Sequence, residues 1–326
     1  MINNIKAFGK FLDQPILISK LDKSMPKILG TAGAIFTAHK AYDTFVKNEN
    51  KDKKKFFKET FVLATSIASA LLAPKIASKI LKRPQGETIK AIKNTNGVLI
   101  ENFLETQKPD AKIFDVLIKA KEKILNPKEI KTVLELNKTK EGAKFVENLI
   151  PSPKNIKAKD IFSEIGYLSV YGAIPVVGGV LGGICADKIA KDENKESTKN
   201  KIDEGIYQYL ANIFMCNIGA GVALGLLEKA KIKSRSARAI AMTCGIIATG
   251  VLGGSKMANC ISEKIISPLL FKGEKTKQRK PQAMDVCLHT DDIATVSMLS
   301  GLKWIEPMLP VLYSVSGYKA GTGYRN

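Results

Sequence analysis

The chain has 326 residues and a formal net charge of +20 at pH 7, which alone would favour nucleic acid or an anionic membrane surface as its partner. Only five of its 51 basic residues are arginine, and specific nucleic-acid sites depend on arginine forks, so nucleic acid is a disfavoured partner. Nucleotide-binding glycine loops and the common hydrolase motifs are missing from the sequence, which leaves enzymatic activity without support.

Residues 1–85 are predicted to form a short amphipathic helix followed by a first apolar helical hairpin. Apolar residues recur at helical spacing over residues 2–12, which is typical of a helix that lies in a membrane interface or packs on a core. The apolar stretch 60–74 reaches spanning length only if the lysines that follow it extend to the lipid head groups. No cleavable signal peptide is evident, because the early chain keeps its charges.

Residues 86–160 have a different pattern. Apolar residues occur at three- and four-residue spacing with lysine and glutamate between them, as in surface helices. The pairs Pro109-Asp110 and Asn126-Pro127 each indicate a turn before a new helix. This segment is therefore predicted to be a small soluble insert of about three short helices.

Residues 161–326 are predicted to form the main apolar helical bundle, with a kinked C-terminal segment around Pro307 and Pro310. Windows 165–186 and 206–227 contain no Asp, Glu, Lys or Arg, and each exceeds the roughly 18 residues that a helix needs to cross a bilayer. Window 239–255 is slightly shorter. The charged segments 187–204 and 228–238 are predicted to be loops, and the basic excess of the second favours the cytoplasmic side.

Glycines recur at three- and four-residue spacing in the apolar windows. Because a missing side chain lets two backbones approach closely, such glycines are predicted to pack helices together in lipid. The same small-residue faces could join copies of the chain into a homo-oligomer. The predicted helix-packing residues are Gly178, Gly179, Gly182, Gly183, Gly250, Gly253 and Gly254.

A possible intramembrane or interfacial site lies at Glu306, next to Lys303 and Trp304. An acid in an apolar segment is a candidate proton carrier or cation ligand. Tryptophan prefers the membrane interface, however, and Lys303 could neutralise Glu306 there, so an anchoring cluster is favoured. Asn212 and Asn217 are predicted to form hydrogen bonds between helices.

The remaining chemical groups predict no metal and no cofactor. Asp285, His289 and Asp292 would share one helical face and could bind a divalent cation. Thr290 and the acids after it look instead like the start of a new helix, which would break that face. The five cysteines are scattered without metal-binding spacing and are interpreted as free, buried thiols.

Together these patterns predict an all-α protein: a multi-helix, membrane-embedded bundle of glycine-marked helical hairpins with a small soluble helical insert. We expect a multi-pass protein of the bacterial cytoplasmic membrane, with the lipid bilayer and anionic lipid head groups as partners and a non-catalytic organising or binding role. Two alternatives stay open. One is a small-solute or ion transporter or channel, and the other is a soluble basic bundle that binds lipid head groups or nucleic acid.

Overall fold

The computed structural model describes residues 2–47, 52–82, 88–151, 157–232, 234–274, 277–282, 285 and 307–323. Over these ranges the protein is all-α and contains no strand, which confirms the predicted fold class. The chain divides into two compact units. Residues 1–24, which the sequence analysis grouped with the first apolar hairpin, belong to the same unit as residues 85–155.

The first unit is built from short helices around an apolar core. Its helices are α1 (Ile2–Leu12), the beginning of α2 (Pro15–Tyr42), α4 (Ile89–Thr106), α5 (Ala111–Ala120), α6 (Pro127–Leu134) and α7 (Lys140–Leu149). Asp110 caps α5, and Asn126 caps α6 in a capping box with Glu129, as the two predicted turns require. The core includes a stacked pair, Phe103 and Phe145, with ring centroids 4.0 Å apart.

The second unit contains the long apolar helices. Its helices are the rest of α2, α3 (Lys53–Ile80), α8 (Ala158–Ile189), α9 (Lys195–Tyr209), α10 (Met215–Lys229), α11 (Arg235–Ile246), α12 (Ser255–Ile261), α13 (Ser267–Leu270) and α14 (Leu309–Thr322). Short π-helical segments at Leu210–Phe214, Ile247–Gly254 and Ser262–Ile266 join α9 to α10 and α11 to α13 into two longer helices.

Within the described residues, four helical stretches are long and apolar enough to cross a membrane. They are Lys53–Ile80, Ala158–Ile189, Lys195–Lys229 and Ala237–Leu270. Each stretch contains one of the four apolar windows recognised in the sequence. Large apolar side chains are exposed along these helices: Leu72, Ile76, Val177, Leu181, Val222, Leu226, Ile240, Ile247, Leu252, Ile265 and Leu269. An exposed apolar surface of this extent is typical of a protein that meets lipid.

Helices α3, α8 and α14 pack against one another, and glycine permits the contacts that α8 makes with both partners. A Cβ atom added at Gly179 would lie 1.9 Å from the carbonyl oxygen of Gly317, and one at Gly183 would lie 2.0 Å from that of Gly321. On its other face, Gly182 meets the hydroxyl of Thr65 on α3. Side chains are therefore excluded at all three glycines, and backbone packs on backbone where α8 meets α14.

The other predicted packing glycines occupy different surroundings. Gly178 lies against the hydroxyl of Ser69 on α3, and Gly254 lies against the backbone of Ala211. Gly250 is buried. An added Cβ at Gly253 would have only an ordinary contact, at 3.5 Å from the carbonyl oxygen of Ala248.

Two sequence expectations need correction. The predicted loop 187–204 is mostly helix, because Asn194 caps α9 and the helix begins at Lys195. The cysteines at 185, 244 and 260 are free but exposed, and among the described cysteines only Cys216 is buried. The exposed thiols point away from the bundle on apolar helices, so an apolar sequence context did not imply burial.

Candidate functional site

The most connected polar group in the second unit surrounds Arg279. Its guanidinium forms two hydrogen bonds to the carboxylate of Asp285, at 2.7 and 2.9 Å, and its Nε donates to Glu204 at 2.9 Å. The same guanidinium stacks on the ring of Tyr207, 4.0 Å from the centroid. Lys319 on α14 adds a 3.1 Å contact to Asp285. These five residues are called the buried ion cluster below.

The buried ion cluster is charge-balanced and shielded from solvent. The side chains of Glu204 and Asp285 are 0% exposed and that of Arg279 is 2% exposed. Two cations oppose two carboxylates, so the cluster carries no net charge. Burial raises the pKa of Asp285, but the hydrogen bond and charge of Arg279 outweigh it and hold that pKa below its ordinary value. Burial likewise opposes the charged form of Arg279, yet its carboxylate partners raise its pKa.

A chain of side-chain amides leads from the cluster into the apolar part of the long helix formed by α9 and α10. Gln208 donates to Glu204 at 2.7 Å, and Asn212 donates to the side-chain oxygen of Gln208 at 2.8 Å. The Oδ1 of Asn212 is buried and has no hydrogen-bond partner in the described part of the chain. Asn217 donates to the carbonyl of Ile213 at 2.6 Å. The bonds of both asparagines therefore lie within their own helix, and the prediction that they bond between helices was wrong.

A second group of charges joins the ends of α3, α8 and α9. Asp187 near the end of α8 forms an ion pair with Lys201 and lies 3.4 Å from Lys58 of α3. Lys58 also contacts Asp192 at 2.5 Å, and Ser197 donates to Asp187 at 2.8 Å. The hydrogen bond from Lys58 lowers the pKa of Asp192. These five residues are called the Asp187 layer below.

A smaller group of contacts occupies the opposite ends of the same helices. Glu228 at the end of α10 accepts a 3.1 Å hydrogen bond from the backbone N–H of Ala158, which begins α8. It also lies 3.5 Å from Arg238 in the first turn of α11. Glu228 therefore joins three helices at the edge opposite the Asp187 layer.

No protein-family model, curated protein or solved structure matches this chain. The geometry of its own residues must therefore carry any functional argument. Within the described residues, no group of His, Cys, Asp and Glu side chains is arranged to hold a metal ion. Asp285 is already engaged by Arg279 and Lys319.

Several predicted site residues lie outside the described residues. They are Lys303, Trp304 and Glu306 of the interfacial site, His289 and Asp292 of the disfavoured metal site, and Cys287. Their predicted roles stay predictions. Pro307 and Pro310 flank the start of α14, with Pro310 in its first turn, where the missing N–H has no helical partner to lose.

Sequence reasoning missed the buried ion cluster and the Asp187 layer. It placed Asp187, Lys201 and Glu204 in a charged loop and considered Asp285 only for a disfavoured metal site. A buried charge is recognised only through its partner, and Arg279 lies 75 residues from Glu204. One signal was present. Arginine is rare in this chain, and its planar guanidinium can bond a carboxylate through two parallel N–H groups, which lysine cannot do.

Proposed function

We propose that this protein is an integral membrane protein with four membrane-crossing helices and a non-catalytic organising or binding role. One observation carries the proposal: charged contacts bracket the apolar windows of several helices at matched depths. At one edge, the Asp187 layer precedes window 60–74, follows window 165–186 and precedes window 206–227. At the other edge, Glu228 ends the last of these windows.

The distance between the Asp187 layer and Glu228 matches the thickness of a bilayer hydrocarbon core. Residues 206–227 rise about 33 Å at about 1.5 Å per residue, close to the roughly 30 Å thickness of a bilayer hydrocarbon core. The ion pairs bring the ends of antiparallel helices to the same depth, so their apolar windows coincide as one belt. In a soluble bundle, the exposed large apolar side chains would face water, which is unfavourable, and nothing would favour uncharged windows at the same level on several helices.

The packing supports a fixed scaffold. Backbone contacts lock α8 against α14, and the buried ion cluster joins α9, α14 and the segment that carries Arg279. A neutral cluster whose charges are paired with one another stabilises one arrangement of these elements. The glycine faces of α8 are covered within the chain, so a homo-oligomer would have to use another surface.

Labelling of single cysteines tests the membrane assignment. Variants that retain only Cys244 or only Cys260 place an exposed thiol inside the candidate span 237–270. We expect a membrane-impermeant maleimide to leave both thiols unmodified in intact membranes and to modify them after denaturation. A single cysteine at the exposed position Lys231, in the turn after α10, is the matched control and should react when its side of the membrane is accessible.

Fractionation provides an independent measurement. We expect the protein to stay in the membrane pellet after high-salt and alkaline-carbonate washing. Release by carbonate, together with rapid labelling of Cys244 and Cys260, would contradict the proposal and favour a soluble basic bundle.

Transport is a second candidate function, and the unpaired Oδ1 of Asn212 favours it. A buried polar atom without a partner costs about 1–3 kcal/mol and calls for an explanation. The amides of Gln208 and Asn212 extend a polar path about 12 Å from Glu204 into the apolar belt, at about 1.5 Å per residue. Such a path could admit a cation or a proton donor. Glu306, the candidate proton carrier of the sequence analysis, lies outside the described residues and stays a prediction.

Flux measurements separate transport from a scaffold role. If the protein transports protons or monovalent cations, Asn212→Leu should reduce flux into proteoliposomes several-fold while the protein still folds. Asn194→Ala, which alters a cap outside the apolar belt, is the control. Equal flux for empty vesicles, the unmodified protein and Asn212→Leu would eliminate this candidate.

A further inference from the structure

An open cleft of about 370 Å³ lies in the second unit beside the Asp187 layer. Its walls come from the first turns of α3, the end of α8, the first turns of α9 and the end of α14. Gly183 and Gly321 line it where α8 and α14 touch. Because neither residue has a side chain, the two helix backbones touch at this side of the cleft.

The carboxylates of the cleft are already engaged. Asp187 and Asp192 contact Lys58, and Glu59 contacts Lys40 at 2.9 Å. The remaining acid, Asp52, accepts a 2.9 Å hydrogen bond from the backbone N–H of Lys55 and so caps α3.

Two lysines of the cleft, in contrast, have no carboxylate partner among the described residues. Lys54 and Lys55 are exposed, and neither forms an ion pair within 4.0 Å among the described residues. Lys54 acts on Asp192 only at longer range. The hydroxyl groups that line the cleft, those of Ser197 and Thr322, already donate to Asp187 and to a backbone carbonyl. The unpaired ammonium groups therefore provide the positive charge and the N–H donors that an anion with several oxygen atoms requires.

The depth of the cleft indicates where such an anion would come from. The Asp187 layer marks one edge of the apolar belt, so the cleft beside it lies at the level of lipid phosphates. Lysines that flank a membrane-crossing helix commonly reach this level.

We propose that this cleft binds a phosphate group, supplied by a lipid head group, with Lys54 and Lys55 as its principal cationic contacts. The lipid source rests on the membrane assignment proposed above, whereas the phosphate chemistry does not. The Asp187 layer holds the three helix ends in place around the anion, and its own charges balance one another. Binding would couple the polar ends of α3, α8 and α9 to the lipid that surrounds them.

The test compares two double variants of the full chain in a neutral detergent. Lys54→Gln/Lys55→Gln removes the unpaired cations of the cleft. Lys75→Gln/Lys79→Gln makes the same charge change at exposed positions on the other end of α3 and serves as the control. Dihexanoyl phosphatidylglycerol, glycerol 1-phosphate and inorganic phosphate are titrated into each protein by calorimetry.

We expect the cleft variant to bind at least one probe about tenfold more weakly than the unmodified protein, with the control variant within about twofold. Tighter binding of the lipid than of the two small phosphates supports the head-group source. Similar binding of all three probes, with the same loss in the cleft variant, would reassign the site to a soluble phosphate compound and overturn the lipid source. Equal affinities of both variants for every probe would overturn the proposal as a whole.

The experiments can reject the phosphate site without rejecting the membrane assignment. Carbonate extraction and cysteine labelling do not depend on Lys54 or Lys55. A protein that stays in the membrane but shows no cleft-dependent binding would keep its membrane assignment and lose the phosphate site.

Discussion

The substitution Gly179→Ala is expected to lower the melting temperature of the detergent-solubilised protein by roughly 6–12 °C, which corresponds to about 3 kcal/mol of unfolding free energy. The new methyl group would lie 1.9 Å from the carbonyl oxygen of Gly317. Both contacting groups belong to helix backbones, so no side chain can rotate away, and α8 and α14 must separate. The contact between Gly183 and Gly321, four residues further along each helix, would open with it.

A matched control lies on the same helix. An added Cβ at Gly166 of α8 would meet no atom within 4 Å. Gly166→Ala should therefore leave the melting temperature unchanged or raise it, because alanine favours a helix over glycine by about 1 kcal/mol. Equal destabilisation by the two substitutions would contradict the close packing of α8 on α14.

The second large effect is expected at Arg279. Arg279→Met removes the bidentate partner of Asp285 and the Nε donor to Glu204 while both carboxylates remain buried. Removing one partner of a buried ion pair typically costs about 3–5 kcal/mol, because the other charge is left uncompensated. Thermal or denaturant unfolding in detergent measures the loss. Arg279→Lys should recover only part of it, since an ammonium group cannot bond both carboxylates in the same plane.

Lys277 provides the control two residues away. Its contact with Glu196 is 3.3 Å long, but both side chains are more than half exposed. Lys277→Gln should change the free energy of unfolding by less than about 1 kcal/mol. The combined variant Arg279→Met/Asp285→Asn should be less destabilised than the sum of its two single changes, because neutralising the acid removes the stranded charge. Strict additivity would contradict the proposed coupling.

The apolar helices were predictable because spanning length is a local property. Windows 165–186 and 206–227 contain no charge, and no distant residue can change that fact. The turns at Asp110 and Asn126 were predictable for the same reason, since a cap bonds to a backbone N–H two or three residues ahead. Local patterns therefore gave the fold class and the first unit's helix starts.

The candidate site was not predictable, because its partners are far apart in the chain. Lys201 follows Asp187 by 14 residues and lies on the next helix, and Lys58 reaches Asp187 only after α3 and α8 have packed together. Packing also decided which glycines matter. Gly179 and Gly253 were both predicted to pack helices together, yet of the two only Gly179 meets a neighbouring backbone at short range.

The contact of α14 with α3, α8 and α9 has a consequence for biosynthesis. The ribosome makes residues 309–322 after all three of the helices that receive them. Until α14 is made, Gly179 and Gly183 of α8 lack the α14 backbone that they contact in the structure, and Asp285 lacks its contact with Lys319. If this unit inserts into a membrane as proposed, insertion would not be complete until α14 joins the earlier helices. Stalled or truncated chains would then leave the α14-binding surface of α3, α8 and α9 open to other membrane helices.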